Sequence, residues 1–455
     1  MSRVLAAGRR FLHGLSTDVR AGLSGLGWSY LTHFLQLVIR LISSKILTHL
    51  LVPEAYGVFG TALSVLFFLE FLSDIGLRPA VVRSSRGEDP LFLGTAWSVV
   101  MVRAVGLTVV AFALAWVLPI VYEGKYPELG LVLLVLCARP LWLSLQNPTI
   151  YVLYRRLNYR IPFYLDILQT LFAVPVTILL AIWLRNVWAM VLGLIIGDIV
   201  RILLSHLLCP LAPKLHWDKT AVHEMTHFGV PIFVNTLTYG GWFYFDRLVG
   251  PRLLSGDQMG LFFFAWNLYE AMDNLVGRGS EVFYSMLSRK AEGDERSDFF
   301  RRTTRRLSLF LMPILALGAI VIPWAFKLYY TAPEFRASAL LLGVLTARLI
   351  MRATSQVQFM YLMMRGEVIL ATRAYVVSLA ILAATFALWV QTFGFGVLGI
   401  ALSSVLAMTT FTLVQTAQMV YRRQTSPWPA LIALGWTTIA VLGVLALHGE
   451  GAFPE

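Results

Sequence analysis

The chain has 455 residues, of which 58% are hydrophobic and 14% charged, and its mean hydropathy is +0.72. Soluble domains carry about 25% charged residues, so this composition excludes a soluble fold and points to a membrane protein with many spans. The net charge of +12 would suggest nucleic acid in a soluble chain. Here the basic residues gather between apolar runs, as membrane topology demands, and no nucleic-acid partner is expected.

Residues 1–27 are basic (Arg3, Arg9, Arg10, Arg20) and weakly apolar. They read as a cytoplasmic amphipathic lead-in and not as a signal peptide. A membrane helix needs about 20 mainly apolar residues. Six such runs follow, at 28–50, 57–77, 91–119, 129–148, 163–184 and 187–209, and form an N-lobe over 28–209. Residues 210–227 are a polar linker between lobes. Six further runs, at 228–250, 260–284, 307–330, 336–364, 367–392 and 395–421, make a C-lobe over 228–421, and 428–448 is an extra C-terminal helix. The expected fold is an all-α polytopic membrane protein with about 13 transmembrane helices.

The connections alternate in charge. One set holds the N-terminal arginines, Arg78, Arg83, Arg86, Arg155, Arg156, Arg160, Lys214, Lys219, the arginine-rich segment 286–306, Arg365, Arg373, Arg422 and Arg423. The other holds Lys125, Arg185, Arg252, Lys327 and Arg336. Basic loops stay in the cytoplasm, which places the N-terminus there and the extreme C-terminus outside. Segment 286–306 is too short to be a domain, and no outside loop has room for a catalytic site. No catalytic residue is expected and the chain is not read as an enzyme. Cys137 and Cys209 lie in apolar runs, and the scattered histidines, His223 and His227 among them, form no metal-ligand set, so no metal or other cofactor is expected.

The chain repeats itself. LLVPEAYGVF (50–59) aligns with LLSGDQMGLF (253–262), Ala138-Arg139 with Ala347-Arg348, and Val191-Leu192-Gly193 with Val397-Leu398-Gly399, at offsets of 203, 209 and 206. An offset of six helices restores the same orientation. Two parallel six-helix lobes related by a pseudo-twofold axis along the membrane normal, around a central cavity, are therefore expected, which is a transporter architecture.

Charge at membrane depth is costly, about 3 kcal/mol per residue at a helix centre. Asp198 and Arg201 are three apart, as are Arg278 and Glu281, and each couple can pair on its own helix face. Lys45 and Arg247 read as snorkelling to the outer interface. Arg40, Arg103, Arg139, Arg348 and Arg352 have no acid at helical spacing. Two readings stand for them: they line an anion-accepting cavity, or they pair with acids on neighbouring helices. Glu70 and Asp74 on helix two, and Glu270 and Asp273 on helix eight, are either a proton or sodium coupling site or the compensating charges for the arginines.

The run Leu51-Val52-Pro53-Glu54-Ala55-Tyr56-Gly57, followed by Phe71-Leu72-Ser73-Asp74-Ile75-Gly76-Leu77, resembles the signature of polysaccharide or oligosaccharide (O-antigen-type) flippases of the multidrug/oligosaccharidyl-lipid/polysaccharide exporter superfamily. The resemblance covers residues 28 to 421. It implies two six-helix lobes around an alternately opening cavity, in a bacterial inner membrane. It also implies a polyprenyl-pyrophosphate-linked oligosaccharide as substrate, flipped outward, with membrane lipid, a coupling ion and polysaccharide synthesis machinery as further partners. In related lipid flippases, cations on helices one, two, seven and eight contact the pyrophosphate. Here helix one offers Arg40, helix eight Arg278 and helix seven Arg247, while helix two offers only acids. With the arginines that have no acid at helical spacing, the substrate-binding candidates are Arg40, Arg103, Arg139, Arg278, Arg348 and Arg352. The main rival is an ion-coupled multidrug antiporter of the same superfamily. A polyprenyl-linked glycosyltransferase and a non-transporting scaffold are weaker alternatives.

Overall fold

The computed structural model describes residues 17–73, 77, 81, 84–156, 158–209, 214–227, 230–288 and 293–449. Among these residues there is no strand. The N-terminal part holds α1 (Thr17–Leu47), α2 (Pro53–Leu72), α3 (Pro90–Val121), α4 (Leu129–Leu136), α5 (Arg139–Ser144), α6 (Ile150–Arg155), α7 (Arg160–Leu184) and α8 (Trp188–Leu208). A connecting helix α9 (Lys219–His227) leads to α10 (Val230–Leu253), α11 (Gly256–Leu287), α12 (Asp294–Arg306) and α13 (Met312–Tyr329). The chain closes with α14 (Ala337–Met364), α15 (Val368–Phe386), α16 (Gly396–Tyr421) and α17 (Trp428–His448). Among the described residues, nine helical stretches are long and apolar enough to cross a membrane. The runs expected at 28–50, 228–250 and 260–284 also lie in long helices, α1, α10 and α11.

Local chemistry sets many of the boundaries. Pro53 stands at the first turn of α2, where its missing N–H costs nothing. The Asp89 side chain accepts from the Leu91 N–H to cap α3, and Ser255 with Gln258 forms a capping box on α11. Residues 17–27, expected as a lead-in ahead of the first span, are instead the opening turns of α1; residues 1–16 lie outside the described residues. The single span expected at 129–148 is two short helices, because the chain turns at Cys137-Ala138 before Arg139-Pro140, and Pro140 cannot donate back into the preceding turn. The polar segment before the ninth span is the helix α12, which passes through a π-turn at Leu307–Leu311 into apolar α13.

Helices α3 and α7 leave large apolar side chains uncovered, among them Trp116, Ile120, Leu179 and Trp183. Such continuous exposed apolar surface belongs in lipid. Helix α14 is the opposite case, buried along most of its length among α11, α13, α16 and α17.

The two halves meet where α2 and α11 begin. A Cβ added at Gly57 would land on the carbonyl oxygen of Gly256, and one added at Gly260 would land on the carbonyl oxygen of Pro53. These four residues match in pairs at the repeat offset, so the contact is reciprocal. Around it, Tyr122 donates to the Leu248 carbonyl (2.9 Å), Tyr126 to the Leu254 carbonyl (3.2 Å) and Lys125 to the Arg252 carbonyl (2.8 Å). Arg252 also pairs with Glu123. The halves are thus latched at this end. At the other ends of the helices, Arg156 forks onto Glu88 at 3.1 and 2.6 Å, and that hydrogen bonding holds the Glu88 carboxyl below the usual range.

Candidate functional site

A cavity of about 340 Å³ lies between the halves, walled by α1, α2, α7, α8, α10 and α11. Aromatic rings dominate the wall, with Tyr56, Phe67, Tyr244, Phe263 and Trp266 among them. Three charged side chains line it: Arg40, Arg247 and Glu270. Arg40 reaches from α1 to donate to the Asn267 carbonyl on α11 at 2.9 Å, and Glu270 is close enough to act on it electrostatically. Ser44 lines the cavity and bonds the Tyr330 hydroxyl at 2.6 Å, tying the wall to the latched end.

Arg247 is the cation that the sequence placed wrongly. It does not snorkel outward; it is 5% exposed and turned into the bundle. Asp246 accepts from it at 3.4 Å and the Phe243 carbonyl accepts a further bond. Its guanidinium lies 4.4 Å from the Phe243 ring centroid, 4.7 Å from Tyr244 and 4.2 Å from Trp266. A desolvated guanidinium over aromatic faces gains about 2 kcal/mol. The run Trp242-Phe243-Tyr244-Phe245-Asp246-Arg247 carried this signal, since an acid and three rings stand within one turn of the arginine.

The other candidate cations lie outside the cavity wall. Arg139 donates to Asp198 at 2.9 Å and to Glu70 at 3.2 Å, and the Trp142 indole N–H donates to the same Asp198 oxygen. Arg201 pairs with Asp166 on α7. The expected Asp198–Arg201 couple is therefore not formed: each residue has its partner on another helix. Arg103 donates to the Ser73 hydroxyl (2.9 Å) and the Glu70 carbonyl (2.8 Å). Arg352 pairs with Asp273 at 3.3 Å. Arg278 meets His33 at 3.1 Å, joining α11 to α1, and the Glu281 side chain lies outside the described residues. Arg348, 4% exposed, donates to the Tyr269 hydroxyl at 3.2 Å and sits within 5.1 to 5.4 Å of the Trp242, Trp266 and Tyr269 rings. Of the four candidate acids, Glu270 lines the cavity, while Glu70 and Asp273 neutralise arginines. Asp74 lies outside the described residues.

The fold defines a class, the multi-pass membrane proteins built like lipid flippases and multidrug transporters. A solved lipid II flippase, MurJ, in an inward closed conformation superposes with a TM-score of 0.69 at 13% identity, over 92% of this chain and 96% of that one. An inward-facing multidrug resistance MATE family transporter superposes with a TM-score of 0.59 at 11% identity, over 90% and 96%. Residues 46–333 match the family described as Polysaccharide biosynthesis protein, and the chain belongs to that family. It is also 23% identical over 334 residues to the succinoglycan biosynthesis transport protein ExoT of Rhizobium meliloti. That alignment takes in 70% of this chain and 66% of the relative, just under two thirds of the relative's length.

Proposed function

We propose that this protein is a flippase that moves a polyprenyl-(pyro)phosphate-linked oligosaccharide from the cytoplasmic to the outer leaflet of a bacterial inner membrane, by alternating access, for export of cell-surface polysaccharide. One observation carries the reading: a cavity between the halves presents two guanidinium groups, Arg40 and Arg247, amid aromatic walls. Guanidinium forks match phosphate oxygens with paired hydrogen bonds. Aromatic faces stack on the apolar faces of sugar rings, and a protein cavity spares a polar head group the cost of crossing hydrocarbon. Family membership supports the saccharide, and a fold shared with MurJ supports a lipid-linked cargo. Rocking of the halves would expose the cavity to each side in turn. Glu270, beside Arg40, is the coupling residue we favour for a proton or sodium ion, and synthesis enzymes would supply the cargo at the cytoplasmic face.

A second reading has its own observation. The same ring-lined wall with Glu270 suits an organic cation, as an ion-coupled multidrug antiporter would need. Proteoliposomes separate the two. A fluorescent short-chain pyrophosphate-linked oligosaccharide should become inaccessible to an impermeant quencher only when the protein is present. Arg40→Ala and Arg247→Ala should each slow this at least tenfold. Transport of an organic cation with no movement of the lipid-linked sugar, under any ion gradient, would hand the assignment to the antiporter.

A further inference from the structure

A second cavity, of about 450 Å³, lies far along the chain from the first and shares no lining residue with it. Its wall is built where two helices pass from polar to apolar sequence. On one side are Arg301, Thr304, Arg305, Ser308 and Leu309, spaced three to four apart on a single face that runs from α12 into the π-turn. On the other are Thr425, Ser426, Trp428, Pro429 and Ile432, at the start of α17. Thr304 and Ser308 are each 1% exposed and form the floor. Arg301 and Arg305 stand at the rim, exposed.

The charge here is unmatched. Among the described residues, neither Arg301 nor Arg305 has a hydrogen bond or ion pair, whereas their neighbour Arg302 pairs with Asp298 at 3.4 Å. The lining contains no acid. Immediately beyond the two arginines, Leu309 (51% exposed), Phe310 (69%), Trp428 (67%) and Leu431 (47%) turn large apolar surfaces outward. A ligand that satisfied both halves of this wall would carry a phosphate at one end and hydrocarbon at the other. It would also lie at the level where a helix leaves water for lipid. Basic pockets between helices at that level take anionic head groups, and a tryptophan at the boundary suits the interfacial zone.

We propose that this cavity binds the phosphate of an anionic glycerophospholipid. Arg301 and Arg305 fork onto the phosphate, Thr425 and Ser426 offer hydroxyls beside it, and the acyl chains run along Leu309, Phe310 and Trp428. The bound lipid ties the first turn of α17 to the entrance of α13. Free phosphate satisfies only the polar end and is the competing source of the same chemistry.

The test is native mass spectrometry of the purified full chain, with thermal unfolding in parallel, against phosphatidylglycerol, phosphatidylcholine and inorganic phosphate. The wild type should retain phosphatidylglycerol over phosphatidylcholine and unfold later with it. Arg301→Gln with Arg305→Gln should weaken retention roughly thirtyfold, since two basic contacts are lost at about 1 kcal/mol each. Arg302→Gln, which removes one positive charge from the paired neighbour, should leave retention unchanged. A loss of binding free energy in Arg302→Gln of half that of the double variant or more would mean diffuse attraction and overturn the site. Protection by inorganic phosphate alone, at the same concentration as the lipid, would overturn the lipid assignment. The rim arginines are exposed and hold no hydrogen bond or ion pair among the described residues, so the double variant should fold; if its unfolding without lipid differs from wild type, the arginines hold the helices directly and the proposal fails.

Discussion

Arg139 and Arg348 occupy matching places in the two halves of the chain, and the protein settles their charges in different ways. Arg139, in the first half, touches two carboxylates, Asp198 and Glu70, and shares Asp198 with the Trp142 indole N–H. Arg348, in the second half, touches a phenol and lies among three aromatic rings. The first arrangement localises the countercharge; the second spreads it over polarisable faces. Two arginines that align in the sequence repeat are thus both buried yet stabilised in different ways, and the two ways should fail differently.

The largest expected effect comes from removing a carboxylate. Asp198→Ala leaves the Arg139 guanidinium buried without its shortest bond, which should cost about 3–5 kcal/mol. It should show as a large fall in the unfolding temperature of the detergent-solubilised protein. Adding Arg139→Met to the same chain should recover most of it. If Asp198→Ala unfolds like wild type, the carboxylates are not what holds Arg139.

Next in size is the shared contact between the halves. Gly57→Ala and Gly260→Ala each push a methyl group onto a carbonyl of the opposite half, and overpacking of this kind costs about 1–3 kcal/mol. Because the contact is reciprocal, the two losses should agree within error, and together they should fall short of their sum. Clearly unequal losses would show that the halves are not equivalent even there.

Arg348→Met should be the mildest. It removes a charge that pairs with no carboxylate among the described residues and keeps the volume, so the loss should be near the cation–π contribution of about 1–2 kcal/mol, well below that of Asp198→Ala. A fall as large as that of Asp198→Ala would erase the difference between the halves.

The helices were mostly legible in the sequence, because hydropathy depends on composition and tolerates ignorance of packing; α17 falls at 428–448 as read. The break before Arg139-Pro140 escaped that reading, since a turn between two apolar pieces leaves the average unchanged. Side-chain partners were less legible. Asp198 and Arg201 have the spacing of a helical pair, yet each bonds across to another helix, which spacing along one helix cannot reveal. Arg247 looked interfacial from its place near a helix end. Its partner is the adjacent Asp246, and neighbours in a helix do not ordinarily face each other, so spacing rules pass over it.

The glycine contact between α2 and α11 has a mechanical consequence. With no side chain between them, the two rods touch backbone to backbone at one end and have no clearance left there. A shim of a single methyl group at such a point is not absorbed locally. It is levered along helices that are about 30 Å and 48 Å long and reappears, magnified, at their far ends. The spacing of those ends is therefore governed by the smallest residues in the chain, at the opposite end of the two helices.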